Sequence, residues 1–89
     1  MQGRFAVHLT PTFRRDVERP PARVQDQVLQ AVKRLEVDPF GPSPKIKKLK
    51  GQGVGQWRLE VWPYRVRYDV VSRDVVLYRV RHRKEIYRA

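Results

Sequence analysis

Trp57-Arg58-Leu59-Glu60-Val61-Trp62-Pro63-Tyr64-Arg65-Val66-Arg67-Tyr68-Asp69-Val70 alternates apolar and charged side chains along two segments, with a proline between them. An extended chain sends successive side chains to opposite faces, so this spelling makes one dry face and one wet face. Trp57, Leu59 and Val61 are expected in the core, while Arg58, Glu60 and Trp62 point to water. Tyr64, Val66, Tyr68 and Val70 repeat the dry line in a second strand, opposite Arg65, Arg67 and Asp69. Pro63 marks a tight connection between the two. Ser72-Arg73-Asp74 reads as a further turn, and Val75 to Arg81 as a third strand, apolar on both faces in its first half as a central strand would be.

Working outward, Phe5, Val7 and Leu9 alternate with Ala6 and His8, the period of a short strand with one buried face. His8 falls on the outer side and reads as a surface histidine. Thr10-Pro11 supplies a helix N-cap and a proline in the first helical turn, with Phe13 and Val17 four apart on one side. Pro20-Pro21 ends this short helix, and Pro21 is placed to open the next. Val24, Val28, Ala31, Val32 and Leu35 then form one apolar stripe of a longer helix that stops near Asp38-Pro39. From Pro39 to Gly55 the composition turns to Pro, Gly and Lys, which reads as a loop free to move when nothing is bound. The expectation is one α+β domain over residues 1–89: an N-terminal strand, two helices, then a three-stranded antiparallel run. The helices pack on one face of a four-stranded sheet, and the arginines occupy the other.

Charge is placed as well as abundant. Residues 45–89 carry 13 basic and 4 acidic side chains against 7 and 5 in residues 1–44, which together give the net +11. A cationic strand surface of this kind suits a phosphate-bearing partner. The chain has no cysteine, so neither a disulfide nor a thiolate metal site supports the small core. His8 and His82 stand 74 positions apart and no carboxylates cluster at ligand spacing, so the sequence predicts no metal and no small-molecule cofactor. No apolar run approaches the roughly 20 residues that span a bilayer, and the N-terminus lacks the apolar stretch of a signal peptide. A cytoplasmic protein away from membranes is expected.

Leu49-Lys50-Gly51, Trp57-Arg58-Leu59, Tyr64-Arg65-Val66-Arg67-Tyr68 and His82-Arg83-Lys84-Glu85-Ile86-Tyr87, in this order, resemble the RelE branch of the RelE/ParE toxin superfamily. The resemblance covers nearly the whole chain. It implies a toxin of a type II toxin-antitoxin pair, a ribosome-dependent endoribonuclease that cleaves messenger RNA in the A site, without a metal, through attack by the 2'-hydroxyl. It also implies a cognate antitoxin, acidic overall, as partner besides ribosome and mRNA. ParE-like relatives that poison DNA gyrase, and inactive relatives that only bind RNA or antitoxin, are the alternatives. The Arg83 and Tyr87 pair favours the ribonuclease branch.

Metal-free RNA cleavage needs a proton taken from the 2'-hydroxyl, charge stabilised on the phosphate, and a proton given to the 5'-oxygen. Guanidinium forks match phosphate oxygens in two-point geometry. By position in the resemblance, Arg65 and Arg83 are assigned to the phosphate, Arg58 to the neighbourhood of the scissile group, and Tyr87 to a nucleotide or a proton transfer. Glu60 departs from the resemblance, since the best-known member of the branch has a lysine at the matching point. Two roles are open to it: general base, or a brace for Arg58 or Arg65, as charged residues on a strand face usually pair. His82, an imidazole among cations, is a candidate base or acid. Lys47, Lys48, Lys50, Arg67, Arg81 and Lys84 complete the candidate RNA contacts. Trp57 and Trp62 are both able to stack on bases, with Trp62 the better placed for exposure.

Overall fold

The computed structural model describes residues 4–41, 43–51 and 53–88, apart from the side chains of Ile86, Tyr87 and Arg88. The chain runs through β1 (Ala6–Leu9), α1 (Pro11–Val17), α2 (Ala22–Lys33), a 3-10 turn (Arg34–Glu36), β2 (Ile46–Lys48), β3 (Trp57–Val61), β4 (Tyr64–Val71), β5 (Asp74–His82) and α3 (Arg83–Arg88). Five strands form one sheet in the order β1-β5-β4-β3-β2. β1 pairs with β5 in parallel, and β2 to β5 pair antiparallel.

Thr10 does two jobs where the chain leaves β1. Its Oγ1 accepts from Phe13 N at 3.2 Å, capping α1, and donates to Leu77 O at 2.9 Å, fastening the helix to β5. Pro21 is the N-cap of α2, one position earlier than a first helical residue. The apolar stripe of α2 and the dry line of the strands then close on one core. Phe13, Val28, Leu35, Val66, Tyr68, Val75 and Leu77 have no exposed surface. Both helices lie on this one face, as their stripes predict.

Two elements differ from expectation. The Pro39–Gly55 segment holds a fifth strand, β2, and is tied down at both ends. Tyr68 donates to Pro39 O at 2.6 Å, and Glu60 N donates to Lys45 O at 2.7 Å. Gly55 N and Gln56 N donate to the Asp69 carboxylate at 2.9 and 2.6 Å, while Arg67 Nε donates to Gly55 O at 2.7 Å. Gly55 sits at φ +70°, where a side chain is strained and a Cβ would come within 3.3 Å of Arg67. Ile46–Lys48 has one apolar residue in three, so its strand state comes from pairing with β3 rather than from its own pattern. The second difference is α3, a short helix that follows β5 directly where no helix was expected.

Candidate nucleic-acid interface

Register decides which cations meet. Lys47, Arg58, Arg67 and Arg79 are successive partners across β2, β3, β4 and β5, and Glu60, Arg65 and Arg81 form the neighbouring row across β3, β4 and β5. The alternate positions, Ile46, Leu59, Val66 and Val80, face the helices. Two adjacent rows therefore gather six cations and one carboxylate on the face opposite the helices. Like charges directly opposite one another repel, so the face needs internal partners or an external anion.

Some partners are internal. Glu60 Oε1 lies 3.6 Å from Arg58 Nη2, both side chains being about four-fifths buried. Arg67 reaches the carbonyls of Gly55 and Val54. Arg79 Nε and Nη2 donate to Asp16 at 2.8 and 3.3 Å, and the same carboxylate accepts Val80 N at 3.2 Å. Asp16 is 6% exposed and comes from α1, so it covers the stretch of β5 beyond the end of β1. Its hydrogen bond holds the Arg79 guanidinium above its ordinary pKa, and charged. The Nε atoms of Arg58 and Arg81 are buried and meet no acceptor among the described residues. A buried donor left unmatched costs roughly 1–3 kcal/mol, a cost that an arriving phosphate oxygen relieves.

At the end of the second row stand Trp62 and Arg83. Trp62 occupies the turn between β3 and β4 and is 63% exposed. The Arg83 guanidinium lies over its ring, 4.9 Å from the centroid, and Arg83 N donates to Pro63 O at 2.8 Å. Arg83 is the first residue of α3. His82 Nδ1 accepts from Lys84 N at 3.1 Å, and Glu85 Oε1 accepts from His82 N at 3.2 Å. That exchange is a capping box with histidine in the cap position. Glu85 also lies 3.6 Å from Arg19, holding α3 to the chain beyond α1.

The expected site residues thus divide. Lys47, Arg58, Glu60, Arg65, Arg67 and Arg81 share one face, with Arg83 at its edge. Lys48 pairs with Trp57 on the helix side and sits 5.9 Å over its ring. Lys50 and Lys84 are exposed away from the rows. His82 is register partner to Tyr64 on the helix side, edge-on to its ring at 5.1 Å, with the Nδ1 lone pair engaged by the cap. The backbone of Tyr87 belongs to α3, and its side chain lies outside the described residues. Arg79 was not among the expected residues: a bulge at Tyr78 shifts the alternation of β5 and turns Arg79 toward Arg67. Burial, followed by the nearby Asp38 charge, raises the pKa of Tyr68 far above the usual tyrosine value, so that phenol is a structural donor.

A groove of about 640 Å³ runs between α2 and the edge of β3 past the end of β2, lined by Gln27, Ala31, Arg34 and Ile46 among others, and it adjoins the charged face through Glu60 and Trp62. Among the described residues there is no group of three or more His, Asp or Glu able to hold a metal, and no helix long and apolar enough to cross a membrane.

The family model for the ParE toxin of type II toxin-antitoxin systems, parDE, matches residues 7–87. No curated protein matches the chain. Among solved structures, the toxin-antitoxin complex RelBE2 of Mycobacterium tuberculosis contains a chain 27% identical, with TM-score 0.77, covering 92% of this chain and 94% of that one. The archaeal RelE-RelB complex of Pyrococcus horikoshii gives 23% identity and TM-score 0.74 over 89% and 94%, a likeness of fold. The RelB-RelE complex of Methanococcus jannaschii gives 24% and 0.70 over 90% and 94%, again a likeness of fold. By the match over residues 7–87, the chain belongs to the family of ParE toxins of type II toxin-antitoxin systems, in the RelE/ParE superfamily, with the RelE-like fold seen in these complexes.

Proposed function

We propose that this toxin is a metal-independent endoribonuclease that cuts messenger RNA in the ribosomal A site. One observation carries the reading: two register-matched rows of cations on the sheet face opposite the helices, with Arg83 at their edge. In the proposed reaction the 2'-hydroxyl oxygen attacks the adjacent phosphorus and the bond to the 5'-oxygen breaks. The products are a 2',3'-cyclic phosphate and a 5'-hydroxyl, and one proton passes from the 2'-oxygen to the solvent-borne or side-chain acceptor while another reaches the leaving oxygen. Arg65, Arg81 and Arg83 stabilise the doubly charged phosphorane, and Lys47 adds to the attraction for the backbone. Glu60 is the sole carboxylate within the two rows, and its contact with Arg58 supports the bracing role. A Glu60→Gln protein that cuts at the normal rate is expected on that reading; a loss of a hundredfold or more assigns Glu60 as the base. The solved relatives are held by RelB antitoxins, and we infer a cognate antitoxin for this chain, acidic enough to meet the basic face.

The test is to incubate the purified toxin with ribosomes programmed with a defined messenger and to map new 5' ends, with Arg83→Ala in parallel. A-site cuts that vanish in the variant are the expected result. The match to the ParE family model favours a second reading, inhibition of DNA gyrase by binding. Loss of supercoiling activity with intact messenger would replace the first reading by the second.

A further inference from the structure

Trp62 is the largest apolar side chain left open to water among the described residues, at 63% exposure. Single exposed apolar residues are common and by themselves mean little. This one is set apart by its surroundings. It lies in the turn directly after β3, two residues beyond Glu60, and both residues border the groove beside α2. Pro63, the next residue, accepts from Arg83 N at 2.8 Å, so the turn that carries the indole also anchors the first residue of α3. The Arg83 guanidinium lies 4.9 Å from the ring centroid. An indole and a guanidinium are thus held together beside Glu60, Arg65 and Arg81, with cations for phosphate on one side and a flat π surface on the other. Trp57, by contrast, is half-buried, stacked on Tyr68 with Phe40 edge-on and Lys48 over its ring.

We propose that Trp62, backed by Arg83, is a nucleobase-stacking site for single-stranded RNA, holding one unstacked base while the arginine rows take the adjoining phosphate. Every base has a π face, so this contact is tolerant of sequence and adds affinity that charge alone does not supply. The inference rests on the RNA reading of the charged face.

Binding is measured by fluorescence anisotropy on the full chain, with a labelled ten-nucleotide oligoadenylate and an abasic ribose-phosphate oligomer of the same length and charge. Wild type is expected to bind the base-bearing oligomer roughly tenfold more tightly. Trp62→Ala is expected to bind both alike, at the affinity of the abasic one, and Trp62→Phe to keep most of the preference. Thermal melts of both variants, expected to match wild type because the side chain is exposed, confirm that folding is intact. Equal binding of the two oligomers by wild type overturns stacking while leaving the charged face standing, and so does a preference that survives in Trp62→Ala. If neither oligomer binds even at low salt, the RNA reading of the face fails and this proposal falls with it. Loss of antitoxin binding in Trp62→Ala, with the base preference unchanged, assigns the indole to the protein partner instead.

Discussion

The two faces of the sheet are written by the same residues taken in alternation, yet they obey opposite rules. On the helix side, Leu59, Val66 and Val80 are register partners that pack under Phe13, Val28 and Leu35. On the other side, one residue away, Arg58, Arg67 and Arg79 stand abreast. The dry face gains free energy by excluding water, whereas the charged face holds like charges together and relies on Asp16, Glu60 and the carbonyls near Gly55 to do so. Stability and the proposed recognition of an anion are thereby separated by the thickness of one strand. Substitutions on one face should move the melting temperature, and those on the other the chemistry.

The sharpest way to break this separation is at Arg83. Arg83→Ala is expected to lower messenger cleavage on programmed ribosomes roughly a thousandfold, as loss of a group that stabilises transition-state charge does, with the melting temperature little changed. A melting temperature that collapses with the activity would merge the two faces again. Leu77 tests the other side: with no exposed surface, Leu77→Ala should cost about 3 kcal/mol in urea denaturation, and the residual folded fraction should still bind RNA normally. Asp16 belongs to both faces, since it is buried and grips Arg79. Asp16→Asn is predicted to cost roughly 2 kcal/mol, with a smaller loss in oligoribonucleotide affinity.

His82 distinguishes a cap from a catalyst. His82→Ala should cost about 1 kcal/mol and reduce cleavage a few-fold through loosening of α3, while His82→Asn, which restores an acceptor at the cap, should recover both. An asparagine variant as inactive as the alanine one would make the imidazole a participant in proton transfer. The smallest effect is reserved for Lys47. Lys47→Gln should leave stability unchanged and lower the slope of log binding constant against log salt by somewhat under one.

The strands of the second half were legible because residues 57–70 alternate without a break, and the period of two fixes the face of every arginine in β3 and β4. The two helices were legible from Thr10-Pro11 and the Val24 to Leu35 stripe. β2 was not, because Ile46, Lys47 and Lys48 carry too little apolar character to mark a strand, and only the free edge of β3 makes them one. α3 was hidden by its cap: the box reads His82 to Glu85, and the usual signal has serine, threonine or aspartate in the first place. The bulge at Tyr78 exchanges the faces of everything beyond it and so brings both Arg79 and Arg81 to the charged rows; Arg81 was expected there and Arg79 was not. Asp16 gave no sign at all, as nothing local announces that a helix carboxylate will meet an open strand edge more than sixty residues away. Membership of the charged face was therefore readable for Arg58, Arg65 and Arg67, and so was a Glu60 pairing with Arg58, whereas the bracing by Asp16 and by the carbonyls near Gly55 was a matter of tertiary structure.

The parallel pairing of β1 with β5 has a consequence in time. Val7 waits beside an empty place until Val75 and its neighbours have been made, and synthesis proceeds at about 5–20 residues per second. For several seconds β1 has no neighbour and Thr10 has no Leu77 carbonyl to hold, while the β3-β4 hairpin, complete at Val71, precedes its β5 partner by only a few residues. Until β5 has emerged, Arg65 and Arg67 have no Arg81 and Arg79 beside them, so the charged face is completed only in the last moments of synthesis.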